Sequence, residues 1–383
     1  MSENINNTTI NWSNGHNHPK GKFGNTGIHV MNNNINSSVL KLLDKAEREH
    51  DLSIDEIVTL LKVKGDNFTM LCQRADRVRA KYHGKEVHLR GIIEFSNYCH
   101  RNCKYCGLRR DNQDLKRYQL TPQEIIEMAL EAADLGYKTV VLQSGEDGYD
   151  ADKIAQIIKE IKEKAGIAIT LCVGERDYEE YKLWKESGAD RYLLKHEVAD
   201  PELYHELHPE MVFAERIKRL EWLKELGYQV GSGNITGLPG QDEVIIARDI
   251  KLFQELDLDM VGIGPFIPHQ NTPLKDRPAG TVEMTLKTVA VTRLLLPLAH
   301  IPATTALGTV DPEGRQKALK AGANVVMPNV TATKYRPLYE IYPAKICIGE
   351  EAKDCRQCIG GIIASLGRVV STDYGHSLKH GFR

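Results

Sequence analysis

The sequence lacks the features that would point to a highly charged partner or to a membrane. It has no concentrated basic block, and its formal net charge is −2 although 27% of its 383 residues are charged, so binding to nucleic acid or to an anionic membrane is not expected. No apolar run approaches the roughly 18 residues of a membrane span, and the layout of a signal peptide is missing. We therefore expect a cytoplasmic protein whose eight cysteines are thiols or metal ligands and not disulfides.

From residue 87 onward, short β-branched apolar runs alternate with helical patterns. Parallel strands joined by helical crossovers are the expected result, and eight runs are the number that closes a (β/α)8 barrel. A doubly wound open sheet is the alternative, but no Gly-x-Gly-x-x-Gly turn follows the first run. The runs are VHLRGIIEF, KTVVLQ, IAITLCV, RYLLKHE, YQVGSGNI, MVGIGPFI, IPATTAL and NVVMPN.

These patterns predict an α/β chain built around a TIM-type barrel. Residues 87–335 are assigned to the barrel, residues 38–86 to an N-terminal helical segment and residues 336–383 to a C-terminal extension that contains cysteines. Residues 1–37 are rich in Asn and poor in apolar side chains, so we predict a disordered extension there.

Three cysteines follow the first predicted strand, and a fourth is missing. The stretch YCHRNCKYCGL contains Cys99, Cys103 and Cys106, and the next cysteine is Cys172, which is interpreted as a core residue of the third strand. Structural zinc takes four ligands, and His100 is the nearby residue that could complete such a site. Three thiolates suit a cubane 4Fe–4S cluster whose open iron takes a non-protein ligand. We favour the cluster, with zinc as the alternative.

The ends of the other predicted strands carry polar, Gly-rich and Pro-rich segments, which should meet at one mouth of the barrel. Glu197 ends the fourth strand, where a buried carboxylate requires a cationic partner. Thr304 and Thr305 end the seventh, where hydroxyls and backbone amides could bind a carboxylate.

Cys-x3-Cys-x2-Cys after a first barrel strand resembles the signature of the radical S-adenosylmethionine (SAM) superfamily. Longer motifs resemble the HydE family within it, the radical SAM maturases of FeFe hydrogenase, with biotin synthase and methylornithine synthase as near relatives. The motifs that carry this resemblance are YCHRNCKYCGLRRDN, VLQSGED, ADRYLLKHE, GLPGQ, DMVGIGPFIPH, IPATTALGT and VVMPN.

The resemblance implies a set of ligands. The 4Fe–4S cluster would be held by the three cysteines and would bind SAM through its open iron. Lys195 departs from the arginine that the family can carry at that place, and core packing is an alternative role for Met260 and Met327. SAM-binding residues would be Tyr105, Ser144, Gly145, Glu146, Glu197, Arg216 and Gly237. Substrate-binding residues would be Gln143, Lys195, Met260, Thr304, Thr305, Met327, Tyr339 and Tyr342.

A second group of cysteines lies near the C-terminus. Cys347, Cys355 and Cys358 have the spacing at which some family members bind an auxiliary Fe–S centre, either 2Fe–2S or 4Fe–4S, while other members lack it. Free thiols are the alternative.

The resemblance also implies an activity. Reductive cleavage of SAM would give a 5′-deoxyadenosyl radical for assembly of the dithiomethylamine-bridged di-iron subcluster of the hydrogenase, acting on the sulfur of a cysteine-bound iron carbonyl cyanide precursor. HydG would supply that precursor, HydF would accept the product, and a reductase, flavodoxin or ferredoxin would donate electrons. The alternatives are a reaction on a small molecule like that of biotin synthase or methylornithine synthase, or a non-catalytic Fe–S carrier. Against the first of these, we expect no auxiliary-cluster cysteines inside the barrel.

Overall fold

The computed structural model describes residues 36–379, so the predicted disordered extension lies outside the described residues up to residue 35. Three helices precede the first strand. Ser53 and Glu56 form the predicted capping box of the second helix, in which each side chain accepts a hydrogen bond from the other residue's backbone N–H. The helices are α1 (Ser37–Glu49), α2 (Ile54–Leu61) and α3 (Asp66–His83).

The strands are parallel to their neighbours, as predicted. Along the sheet their order is β6-β5-β4-β3-β2-β1-β7, and Ile92 of β1, for example, pairs with Val141 of β2. In β1 and β2 the β-branched residues are buried on both faces, as in other parallel sheets covered by helices. The strands are β1 (Glu86–Ser96), β2 (Thr139–Ser144), β3 (Ala168–Cys172), β4 (Arg191–Leu193), β5 (Gln229–Thr236), β6 (Met260–Pro265), β7 (Val325–Val326) and β8 (Val369–Val370).

One predicted strand is reduced to isolated bridges. The segment around IPATTAL pairs at two points only, His300 with Met260 of β6 and Pro302 with Val325 of β7. Pro302 has no N–H to give to a ladder, which is a physical reason for the interruption. The two bridges still connect β6 to β7, and β7 pairs with β1, so parallel contacts run around the whole ring. The predicted TIM-type fold class is confirmed. The eighth apolar run of the sequence forms β7.

Helices connect the strands and cover the ring. Thr121 and Glu124 form the predicted capping box of α4, which has Pro122 at its first position. Ile158 of α5 and Phe253 of α9 are fully buried in the hydrophobic cluster shared with the strands. No helix between residues 36 and 379 is long and apolar enough to cross a membrane. The remaining helices are α4 (Pro122–Asp134), α5 (Ala151–Ala165), α6 (Tyr178–Glu186), α7 (Pro201–Leu207), α8 (Phe213–Glu225), α9 (Glu243–Glu255), α10 (Val282–Leu295), α11 (Thr305–Val310), α12 (Gly314–Lys320) and α13 (Ala352–Ser365), with a 3-10 turn at Arg336–Leu338.

The C-terminal residues pair with β1 and also cover one end of the barrel. Strand β8 pairs in parallel with the start of β1, Glu86 with Val369. The segment 371–379, which we call the floor segment, then crosses the amino ends of other strands. Arg191 at the start of β4 donates a hydrogen bond to the Tyr374 carbonyl at 2.6 Å. Residues 371–379 therefore cover the end of the barrel opposite the cysteine loop.

Candidate functional site

A cavity of about 400 Å³ lies inside the ring of strands and extends to their carboxyl ends. It brings together almost every residue that was predicted from the barrel motifs. Its remaining wall is largely apolar, which excludes water from the polar groups that face it. The predicted residues that line it are Cys99, Cys103, Cys106, Tyr105, Gln143, Ser144, Gly145, Glu146, Lys195, Glu197, Arg216, Met260, Thr304, Thr305, Met327, Tyr339 and Tyr342.

The cysteine loop is held at the rim by the turn that follows β2. The backbone N–H of His100 donates to the Glu146 carbonyl at 3.0 Å. A side chain at Gly145 would collide with the backbone oxygen of Tyr98, so the turn can come this close only with glycine there. Contacts within the protein alone therefore hold the two loops against each other.

The three cysteines of this loop are half-buried and line the same cavity. Burial and the charges of the two neighbouring thiols raise the pKa of Cys103, and burial raises the pKa of Cys106 to about 12. Because burial disfavours the thiolate form, deprotonated sulfurs here need a cation nearby, such as a bound metal. Among the described residues, Cys99, Cys103 and Cys106 do not form a group whose sulfurs all lie within 4.8 Å of one another. Sulfurs around a single zinc would be about 3.8 Å apart, so the three sulfurs as they stand are not gathered around one such ion.

Glu197 presents a carboxylate to the same cavity, and one of its oxygens has no hydrogen bond. Its φ is 69°, in the left-handed region that few residues other than glycine adopt. Its Oε2 atom is buried without a hydrogen bond, although Nζ of Lys195 lies 2.9 Å away, so this contact is an ion pair of poor hydrogen-bond geometry. A strained backbone that aims a half-satisfied carboxylate into a cavity suits the binding of a cation.

A chain of alternating charges runs along the wall beside the cysteine loop. Arg101 contacts both Glu146 and Glu175, and Glu175 accepts a hydrogen bond from Nε of Arg216 at 2.7 Å. Burial opposes ionisation of Glu146, but the hydrogen bond with His100 and the charges of Arg216 and Arg101 lower its pKa to about 2. Arg101 and Glu175 were not predicted, because the pairing depends on tertiary contacts.

Arg216 has little free donor capacity in this arrangement. In addition to Glu175, it donates from Nη1 to the Lys195 carbonyl at 2.7 Å. Its position on α8 beside the cavity fits the implied contact with a carboxylate, and that contact would compete with Glu175 or use the remaining N–H groups.

Tyr105 has a buried partner that the sequence did not indicate. Its hydroxyl lies 2.7 Å from Nε2 of His208, and burial lowers the pKa of His208 to about 4. The neutral imidazole orients the phenol ring at the cavity wall.

On the opposite side, the predicted threonine pair is already engaged. The Thr304 side chain caps α11 by accepting from the backbone N–H of Leu307 at 3.4 Å, and the Thr305 hydroxyl accepts from Nη2 of Arg315 at 3.2 Å. Nearby, Gln143 donates to the Tyr339 hydroxyl at 3.3 Å. Each threonine oxygen keeps a second lone pair and a proton to offer to a ligand.

Two expectations from the sequence need correction. Cys172 is not a core thiol: it lines the cavity, because it shares the inward face of β3 with Thr170 two residues earlier. Gly237 does not line the cavity. It has φ of 83° and lies against Gly280, where a side chain would collide with backbone, so glycine at this position lets two loops approach each other.

The C-terminal cysteines do not line the cavity. Cys355 and Cys358 are three residues apart on α13, so they lie on one helix face. A hydrogen bond from Cys355, and then the charge of Arg315, lower the pKa of Cys347 to about 6. A thiol of this kind is prepared to act as a ligand.

Comparisons with known proteins agree with this geometry. Residues 93–252 match the model of the Radical SAM superfamily. The chain is 51% identical to the [FeFe] hydrogenase maturase subunit HydE of Thermotoga maritima over 337 residues, which are 88% of this chain and 96% of that protein. It is 31% identical to the 3-methylornithine synthase of Methanosarcina acetivorans over 72% of this chain and 79% of that protein. The crystal structure of methylornithine synthase (PylB) superposes with a TM-score of 0.77 at 28% identity, covering 86% of this chain and 97% of that one. Taken with the three-thiol loop and the Glu197 carboxylate, these matches confirm the predicted family: the chain belongs to the HydE family of radical SAM enzymes.

Proposed function

We propose that this chain is the radical SAM enzyme that acts in maturation of FeFe hydrogenase. The observation that carries the proposal is the meeting, in one cavity, of three half-buried thiols with the Glu197 carboxylate, one oxygen of which has no hydrogen bond. The chain that holds them is 51% identical to a HydE protein over 88% of its length. A 4Fe–4S cluster with bound SAM would supply a one-electron reduction of the sulfonium that yields the 5′-deoxyadenosyl radical.

The residues of the chain divide the cavity into two sides. Cys99, Cys103 and Cys106 would hold the cluster, and Glu197 would compensate the positive charge of SAM in a site from which water is largely excluded. The wall of SAM-binding residues would be completed by Tyr105, Ser144, Gly145, Glu146 and Arg216.

The other side would hold the substrate. Thr304 and Thr305 offer hydroxyls to a carboxylate. Lys195, which pairs with Glu197 at 2.9 Å, would add a positive charge as a single ammonium rather than a bidentate fork once SAM engages Glu197. These groups suit an amino-acid-like sulfur compound, and we propose a cysteine-bound iron carbonyl cyanide precursor of the di-iron subcluster. The remaining substrate contacts would be Gln143, Met260, Met327, Tyr339 and Tyr342.

The partners follow from the family. We propose that HydG supplies the substrate, that HydF accepts the product in the cytoplasm, and that a reductase, flavodoxin or ferredoxin delivers the electron. Apart from the three cysteines of the loop, Cys172 is the one cysteine among the described residues that line the cavity, too few for the several cysteine ligands that an internal auxiliary cluster of the biotin synthase type requires. This count favours the hydrogenase reaction over a sulfur insertion from such a cluster.

The proposal is tested by co-expressing the chain with a FeFe hydrogenase, HydF and HydG in a host without HydE. We expect hydrogenase activity only when the chain is present, together with anaerobic formation of 5′-deoxyadenosine from SAM by the purified protein. SAM cleavage without any hydrogenase activity would favour a small-molecule reaction, and absence of both would favour an Fe–S carrier.

We propose that Cys347, Cys355 and Cys358 hold an auxiliary Fe–S centre that catalysis does not need. Replacing Cys355 and Cys358 by serine should lower the iron content per chain but leave the rate of SAM cleavage within about twofold, because α13 lies outside the cavity wall. Iron analysis and 5′-deoxyadenosine formation measure the two effects. Cys72→Ser, which changes a half-buried thiol on α3, is the matched control and should alter neither. Loss of SAM cleavage with the cubane signal intact would contradict the proposal.

A further inference from the structure

A second potential ligand cluster lies at the other end of β1, beside the floor segment. Glu86 and His88 are two residues apart on β1 and therefore share one face of the strand, and Asp373 faces them from the floor segment. One carboxylate oxygen of Glu86, one ring nitrogen of His88 and one carboxylate oxygen of Asp373 all lie within 4.8 Å of one another. From His88 to the end of β1 is about 26 Å at 3.3 Å per residue, so this cluster is remote from the cysteine loop.

The imidazole of His88 is buried with a nitrogen left unsatisfied. His88 is only 9% exposed, and its Nδ1 atom has no hydrogen-bond partner among the described residues. Asp373 Oδ1 is 3.3 Å from it, but the geometry is not that of a hydrogen bond. Unsatisfied buried polar atoms are rare in folded proteins and call for a missing partner.

The floor segment is shaped around this nitrogen. Gly375 has φ of 58°, and a side chain there would come within 2.8 Å of His88 Nδ1. The ring of His300 meets the His88 ring edge-on at 5.0 Å and limits its rotation. The nitrogen is therefore held in place in the space that the two carboxylates share.

The two carboxylates have no lysine or arginine of the described chain in direct contact, although the charge of Arg191 interacts with Asp373 from further away. Within residues 36–379, the ion pairs formed by Glu86 and Asp373 include no lysine or arginine. Ser371 donates to Glu86 Oε2 at 3.0 Å and the Gly375 N–H donates to Asp373 Oδ1 at 2.6 Å, so each carboxylate keeps an oxygen with no such bond. The Asp373 side chain is 64% exposed, which gives an ion access and room for water ligands.

We propose that Glu86, His88 and Asp373 bind one divalent transition-metal ion. One imidazole and two carboxylates are a ligand set that suits Mn²⁺, Fe²⁺ or Zn²⁺, with water in the remaining positions. The ion joins β1 to the floor segment, so its binding stabilises the closed end of the barrel. This site is independent of the iron–sulfur chemistry, since it contains no thiol.

Mn²⁺ is the probe for the test, because it has little affinity for thiols and its EPR signal is not obscured by an oxidised 4Fe–4S cluster, which is diamagnetic. We expect the cluster-loaded full chain to bind one Mn²⁺ with a Kd in the micromolar range. His88→Asn, Glu86→Gln and Asp373→Asn should each weaken binding at least tenfold. Asp55→Asn, which removes an exposed carboxylate at the start of α2, should leave the Kd unchanged.

Hydrogen exchange gives a second measurement on the same samples. Saturating Mn²⁺ should slow amide exchange in residues 371–379 of the wild-type chain and have no effect in Asp373→Asn, whose exposed side chain can be changed without disturbing the core. The proposal is overturned if wild-type protein takes up no Mn²⁺ or Zn²⁺ at millimolar concentration, or if Asp373→Asn binds Mn²⁺ as tightly as wild type.

Discussion

Replacing Cys99, Cys103 and Cys106 together by alanine should eliminate the cubane cluster and, with it, all detectable cleavage of SAM. The three thiols are the proposed protein ligands, and Ala offers no replacement for them. Iron and sulfide analysis, the EPR spectrum of the reduced protein with and without SAM, and 5′-deoxyadenosine formation measure the loss. The C-terminal thiols remain in this variant, so some iron can persist without the SAM-dependent change in the EPR signal.

Cys172→Ala is the matched control, because Cys172 lines the same cavity. Its thiol is buried, which raises its pKa to about 12, and the charges that affect it are those of Glu197, Lys195 and Arg216 rather than of the three cysteines. We expect this variant to keep the cubane and its response to SAM. A cubane that survives the triple replacement, or one that is lost in Cys172→Ala, would show that the ligands are assigned incorrectly.

Replacing both Thr304 and Thr305 by valine should lower hydrogenase maturation by about two to four orders of magnitude. Each hydroxyl removed from a charged ligand costs roughly 1.5–3 kcal/mol, and the two losses are expected to add. Cleavage of SAM to 5′-deoxyadenosine should continue, because the proposed SAM ligands are elsewhere. Both products can be measured on one cluster-loaded preparation.

A double serine variant of Thr304 and Thr305 is the control that separates a loss of substrate binding from a loss of folding stability. Thr304 caps α11, so valine there also removes a cap worth about 1 kcal/mol. Valine at position 305 removes the hydroxyl that accepts a hydrogen bond from Nη2 of Arg315. The double serine variant keeps both hydroxyls and should keep most of the maturation activity. Equal loss of maturation and SAM cleavage in the valine variant would assign the pair to SAM or to the fold, and unchanged maturation would remove it from the substrate site.

Much of the barrel could be predicted because local signals and tertiary structure agree. The capping boxes at Ser53 and Thr121 form as expected, as do five of the first six apolar runs, since patterning and caps act within a few residues. The fourth run was predicted to be a strand that ends at Glu197, but β4 covers only Arg191–Leu193, and Glu197 forms an isolated bridge with Asn234. The seventh run failed as a strand because Pro302 removes a ladder donor, which the apolar pattern does not reveal. The two-residue β8 and the polar floor segment are held by contacts with distant residues, and no local pattern indicates them.

The residues of the site could be predicted from the motifs, but the hydrogen bonds and ion pairs between them could not. Motifs place Glu146 and Glu197 after strand ends, where barrel topology brings them together, and Arg216 on the helix α8 that follows β4. The role of Glu175 in joining Arg101 to Arg216 depends on side-chain directions that only the folded chain defines. Cys172 could have been found from the alternation of inward residues on β3, because Thr170 and Cys172 share a face. The division of the chain into segments and the role of each site residue stay predictions.

The position of β1 in the ring determines when the site can exist during synthesis. Strand β1 and its cysteine loop are made early, but β1 pairs with Val325 and Val326 of β7 and with β8 near the C-terminus. At about 5–20 residues per second, the ribosome needs on the order of ten seconds or more between the two. Contacts so distant in sequence also close slowly once both partners are available. The three cysteines therefore leave the ribosome long before their cavity forms, and insertion of the cluster belongs after translation, on the finished chain.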